Sequence, residues 1–90
     1  MNDIRRRALA KVKKDMSSAR AYLEDRQSTV SDIMTEEDDA RDNMPEGLIG
    51  SEKYEKSENA SEKLQECIDS LDEIMSMLVD IVDALDEAME

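Results

Sequence analysis

The chain contains no histidine, phenylalanine or tryptophan, and only two tyrosines, one cysteine, one proline and two glycines among its 90 residues. Each scarcity excludes something. Without histidine, the commonest general base and the commonest transition-metal ligand are missing. No serine, cysteine or lysine stands in a recognisable nucleophile arrangement either. The sequence therefore predicts a protein that is not an enzyme and carries no cofactor and no metal. With so few aromatics, one chain of this size has little apolar bulk to bury, so self-association is expected. Cys67 is alone, which rules out an intrachain disulfide, and its place on an apolar helix face predicts a buried thiol. No apolar run is long enough to cross a membrane. Met1 to Arg7 lead into an amphipathic stretch rather than the apolar segment of a signal peptide, so a cytoplasmic protein is expected.

What is abundant is charge: 24 acidic against 12 basic residues, a net charge of -12, with charged residues forming 40% of the chain. Such a composition suits either a disordered segment or long solvated helices. Apolar periodicity decides for helices. Leu64, Ile68, Leu71, Met75, Leu78, Val82, Leu85 and Met89 alternate at spacings of four and three, an unbroken heptad seam. A third apolar column at Cys67, Ile74, Ile81 and Ala88 widens that face beyond a two-stranded stripe and predicts packing in a bundle. In the first half a weaker seam runs through Leu9, Val12, Met16, Ala19, Leu23, Arg26, Val30 and Ile33, with Met34 beside it.

The only proline and both glycines fall together at Pro45, Gly47 and Gly50, which marks a turn. Pro45 disfavours helix at Met44, Asn43 is suited to a left-handed helix end, and Ser51 can cap a second helix with Glu52 in its first turn. The expected organisation is one domain, 1–90, with a helix over 3–42, a turn over 43–50 and a helix over 51–88. Charge favours folding back, because residues 1–20 are mostly basic and residues 62–90 mostly acidic, so an antiparallel hairpin lays opposite signs together. The predicted fold is all-α: an antiparallel two-helix hairpin that oligomerises into a four-helix bundle or a larger helical assembly. The expected oligomer interface comprises Leu64, Cys67, Ile68, Leu71 and Ile74, continuing through Met75, Leu78, Ile81, Val82 and Leu85.

The turn segment Asp42-Asn43-Met44-Pro45-Glu46-Gly47-Leu48, with Ser51-Glu52 just beyond it, resembles the middle of a widespread group of small uncharacterised acidic helical-hairpin proteins of bacteria and their phages. Those proteins carry an Asn-Met-Pro-Glu-Ser-Leu type turn, with Gly47 here in place of the serine. The resemblance implies a helical hairpin and a phage or mobile-element origin. It brings no activity with it.

Three surfaces remain as candidates for function. The acidic run Glu36, Glu37, Asp38, Asp39 and Asp42 lacks the alternating ligand spacing and central glycine of a calcium loop, and reads as a solvated helix face. Arg5, Arg6, Arg7 and Lys11 form a candidate anion-binding cluster with Lys13 and Lys14. No aromatic residue lies within it to stack bases and the remainder is strongly acidic, so direct nucleic-acid binding is not expected. A cyclic nucleotide gathered between several such clusters in an oligomer is the conceivable ligand. Glu66, Glu73, Asp80 and Glu87 repeat every seven residues, flanked by Asp69 and Asp83. Such a row of carboxylates can imitate a nucleic-acid backbone and occupy the basic groove of a host protein. The expected function is thus a phage or mobile-element accessory protein that binds and inhibits a basic host protein, in an anti-defence role. The alternatives are a sponge for a cyclic-nucleotide signal and a purely structural coiled-coil assembly protein.

Overall fold

The structure is a computed structural model that describes residues 1–90. It contains two long helices packed against each other, α1 (Asp3–Asp42) and α2 (Glu52–Met89), joined through a single 3-10 turn (Glu46–Leu48). The fold is an all-α helical hairpin. No helix is long and apolar enough to cross a membrane.

Local chemistry explains where each helix starts and stops. Asn2 caps α1, its Oδ1 accepting from the Arg5 backbone N–H at 2.8 Å, with Asp3 in the first turn facing the positive end of the helix dipole. At the other end the Asn43 side-chain amide donates to the Asp39 carbonyl at 2.8 Å and the Asn43 backbone N–H donates to the same oxygen at 3.1 Å. Asn43 does not adopt the left-handed conformation expected of it; the one residue with positive φ is Gly50, at 85°. The helix closes without a left-handed step, the Met44 N–H donating to the Arg41 carbonyl at 3.1 Å. Pro45 is extended, with ψ 146°, as a residue that closes a helix must be. The Leu48 N–H then donates to the Pro45 carbonyl at 2.9 Å, forming the 3-10 turn. Ser51 caps α2, its Oγ accepting from the Tyr54 N–H at 3.3 Å.

The chain divides into two compact units, to each of which both helices contribute: a terminal half of Met1–Asp25 with Leu71–Glu90, and a turn half of Arg26–Ser70. In the terminal half the seam is apolar apart from Lys13. Leu9, Met16, Ala19 and Leu23 are half-buried on α1, as are Leu71, Leu78, Val82 and Leu85 on α2, and Met75 is the one buried apolar side chain, 8% exposed. Lys13 Nζ meets Asp86 at 2.6 Å, and Arg6 Nε donates to the Met89 carbonyl at 3.1 Å. That second contact places a cation on an orphan carbonyl at the end of α2, whose own last turn holds no basic residue.

In the turn half the seam is mixed, with Val30, Met34, Leu64 and Ile68 half-buried beside polar residues. Gln27 Nε2 donates to the Ile68 carbonyl at 3.0 Å. Nearer the turn, Arg41 donates from Nη1 to the Ser57 carbonyl at 3.1 Å and the Ser61 hydroxyl at 2.9 Å, and from Nη2 to Asp38 Oδ1 at 2.8 Å. The Ser61 hydroxyl donates to the same carboxylate oxygen at 2.6 Å. Ser57 is buried at 5% exposure. The α1 seam thus differs in phase from the expected one. Val12 and Ile33, expected on it, are 41% and 49% exposed, and Arg26 is exposed too. Lys13, Gln27 and Met34, each one residue later, take the half-buried positions.

Candidate functional site

The seam fixes what each remaining column of side chains can do. Of the residues expected to form an oligomer interface, Leu64, Ile68, Leu71, Leu78, Val82 and Leu85 are half-buried and Met75 is buried along the hairpin's own seam. Ile74 and Ile81 lie outside that seam, 45% and 43% exposed. Cys67 shares their column and is exposed, not buried. A position one residue before the seam is carried about 100° round the helix, out of reach of α1.

The six carboxylates of the expected acidic face, Glu66, Asp69, Glu73, Asp80, Asp83 and Glu87, are all exposed. Glu66 is paired with Lys63 at 3.3 Å and Asp69 accepts from Gln65 at 3.0 Å. Glu73, Asp80, Asp83 and Glu87 belong to the terminal half and enter no ion pair. From Leu71 to Glu90 the chain carries seven acidic residues and no lysine or arginine.

The basic cluster is not gathered into one site. Arg5, Arg6, Arg7 and Lys11 are exposed, and three consecutive arginines on a helix fan out by about 100° at each step. Arg6 is engaged with Met89 and lies 3.6 Å from Asp3; Lys11 pairs with Asp15 at 3.2 Å. The terminal half has a shallow groove of about 150 Å³, lined by Met16, Ser17, Arg20, Leu78, Val79 and Val82. None of the four cluster residues lines it.

The arrangement around Arg41 is legible only as a structure. The Ser61 hydroxyl, and after it the Arg41 guanidinium, hold the Asp38 carboxyl below its ordinary value. The Asp38 carboxylate in turn raises Arg41 above its own. Every polar atom buried here has a partner, which is the condition under which a polar seam is tolerated. The signal that could have found it is heptad spacing: 27, 34 and 41 are seven apart, and 57 and 61 continue the Leu64 and Ile68 seam backwards. Asp38 thereby leaves the solvated acidic run in which it sits in sequence. No group of three acidic or thiol side chains converges to hold a metal ion.

Comparison of the chain with protein-family models, with curated proteins and with solved structures returned no match.

Proposed function

We propose that this protein is a non-enzymatic accessory protein of a phage or mobile element that binds a basic host protein and blocks it, with the carboxylates of α2 as the contact surface. The observation that supports this reading is the row Glu73, Asp80, Asp83 and Glu87, exposed and without ion pairs on a helical stretch lacking any cation. Seven-residue steps advance about 10.5 Å along a helix, so Glu73, Asp80 and Glu87 form a rigid line of negative charge. A line of this kind steers and seats a basic groove without any pocket of its own. The phage or mobile-element origin rests on the resemblance of the Asn43 to Leu48 turn.

The test compares two variants in capture from host lysate and then in affinity measurement. Replacing Glu73 and Glu87 by glutamine, and Asp80 and Asp83 by asparagine, leaves the seam untouched. It should weaken binding of a basic partner, chiefly through slower association, and flatten its salt dependence. Replacing Arg5, Arg6 and Arg7 by glutamine should leave that binding unchanged. The opposite pattern, with a cyclic nucleotide raising the melting temperature only while the arginines are present, would establish the sponge. Retention of all binding by both variants would turn attention to a structural assembly role.

A further inference from the structure

Lys13 shows what a cation beside the seam finds on the facing helix: its Nζ meets Asp86 at 2.6 Å. In an antiparallel pair, seven residues forward along α1 match seven residues back along α2, which brings Arg20 to Val79. The α2 column reads Asp72, Val79, Asp86, so a valine stands where the register would place an acid. Arg6, Gln27 and Arg41, in the same α1 column as Lys13, each donate to α2. Arg20 alone among the polar residues of that column enters no hydrogen bond or ion pair. At this gap the terminal half opens into its groove, where Arg20 and Ser17 stand beside Met16, Leu78, Val79 and Val82. The groove therefore offers an apolar floor and a guanidinium without an acid.

We propose that this groove binds a medium-chain aliphatic carboxylate, its acid group on the Arg20 guanidinium and its chain along Leu78, Val79 and Val82. The planar fork of donors on an arginine matches the two oxygens of a carboxylate, which selects the head group. Dimensions select a small molecule over a protein. The lining spans 16–20 on α1 and 78–82 on α2, little more than one turn or about 6 Å along each helix, whereas a docked helix needs anchors over about two turns. A volume of about 150 Å³ suits an apolar body of about six carbons. Lys14, one turn before Ser17 on the groove side of α1, forms no ion pair and adds positive potential at that rim. Asp83, one turn after Val79, makes the α2 rim acidic, so the anionic head is steered to α1 and the chain to α2. This inference stands apart from the partner-binding role, since neither Arg20 nor Val79 belongs to the acidic row.

The test is titration of the full chain with sodium hexanoate at constant ionic strength, followed through amide NMR shifts. Saturable shifts in the millimolar range should centre on Ser17 to Arg20 and Leu78 to Val82. Hexanol, which lacks the charge, and acetate, which lacks the chain, should each bind about fivefold or more weakly. Arg20→Gln should weaken hexanoate by about fivefold or more and leave hexanol unchanged. Val79→Asp should give Arg20 the acid its register lacks and abolish hexanoate binding, with helical circular dichroism retained. If that variant unfolds, Arg20→Gln decides alone. Absence of saturable shifts in the wild type overturns the proposal. So does equal binding of hexanol, or indifference of hexanoate to Arg20→Gln. Shifts of the same size at Ile74 and Ile81, which lie outside the groove, also overturn it, because any exposed apolar surface would then suffice.

Discussion

The terminal half and the turn half are built from the same two helices, yet their seams differ in kind. Between Leu71 and Met89 the α2 seam is wholly apolar and contains the buried Met75; between Ser57 and Ser61 it is two hydroxyls around an arginine. Apolar burial stabilises but specifies little, since Leu, Met and Val tolerate neighbouring registers. A hydrogen-bonded arginine has one good geometry. The terminal half is thus the source of stability, and the turn half fixes which residue of α1 faces which residue of α2.

The largest break in that comparison is Met75→Asp, which places an unpaired carboxylate in the apolar seam. It should cost about 3 kcal/mol or more in urea unfolding monitored by circular dichroism. Arg41→Ala, which removes the donor shared by Ser57 and Ser61 and leaves the Asp38 carboxylate with the Ser61 hydroxyl alone, should destabilise less than Met75→Asp. An apolar replacement of the whole set, Arg41→Met with Asp38→Leu, Ser57→Ala and Ser61→Ala, should recover that loss or exceed it while broadening the amide spectrum, because register is then less well specified.

Acid sharpens the contrast. Asp38 binds its proton more weakly in the folded chain than its ordinary value of 3.8. Its contribution is therefore present above that value and disappears as pH falls through the lower folded value. Urea unfolding across that acid range should show the wild type losing stability faster than Asp38→Asn, with the two curves keeping a fixed separation near neutrality. The smallest effects lie in the turn. Gly50→Ala should cost about 1 kcal/mol, because a side chain at φ 85° is strained although nothing lies within 4 Å of the added carbon. Gly47→Ala, equally open but without positive φ, should be neutral or slightly stabilising.

The hairpin is legible in the sequence because apolar periodicity and turn chemistry agree: Pro45, Gly47 and Gly50 interrupt two stretches that otherwise read as helix. The α2 seam from Leu64 to Met89 is legible as a contact line for the same reason. The phase of α1 is not. Val12 and Ile33 draw the apolar pattern one residue away from Lys13 and Met34, because hydropathy gives no weight to a lysine stem or to an amide that finds a backbone carbonyl. Gln27 and Arg41 occupy seam positions only because Ile68, Ser57, Ser61 and Asp38 satisfy them across the helix pair, a condition visible only once the register is known. Cys67 belongs to an apolar column, which suggests burial, but that column faces outward. The exposure of the α2 carboxylates needs no register, since it comes directly from their place opposite the seam.

Amide hydrogen exchange resolved residue by residue tests the division of labour most directly. The seam amides of Leu71 to Leu85, and of Leu9 to Leu23 opposite, should exchange most slowly, through global unfolding alone. The amides around Arg41, Ser57 and Ser61 should open at lower free energy. Equal protection along both helices, or slower exchange in the turn half, would contradict the account.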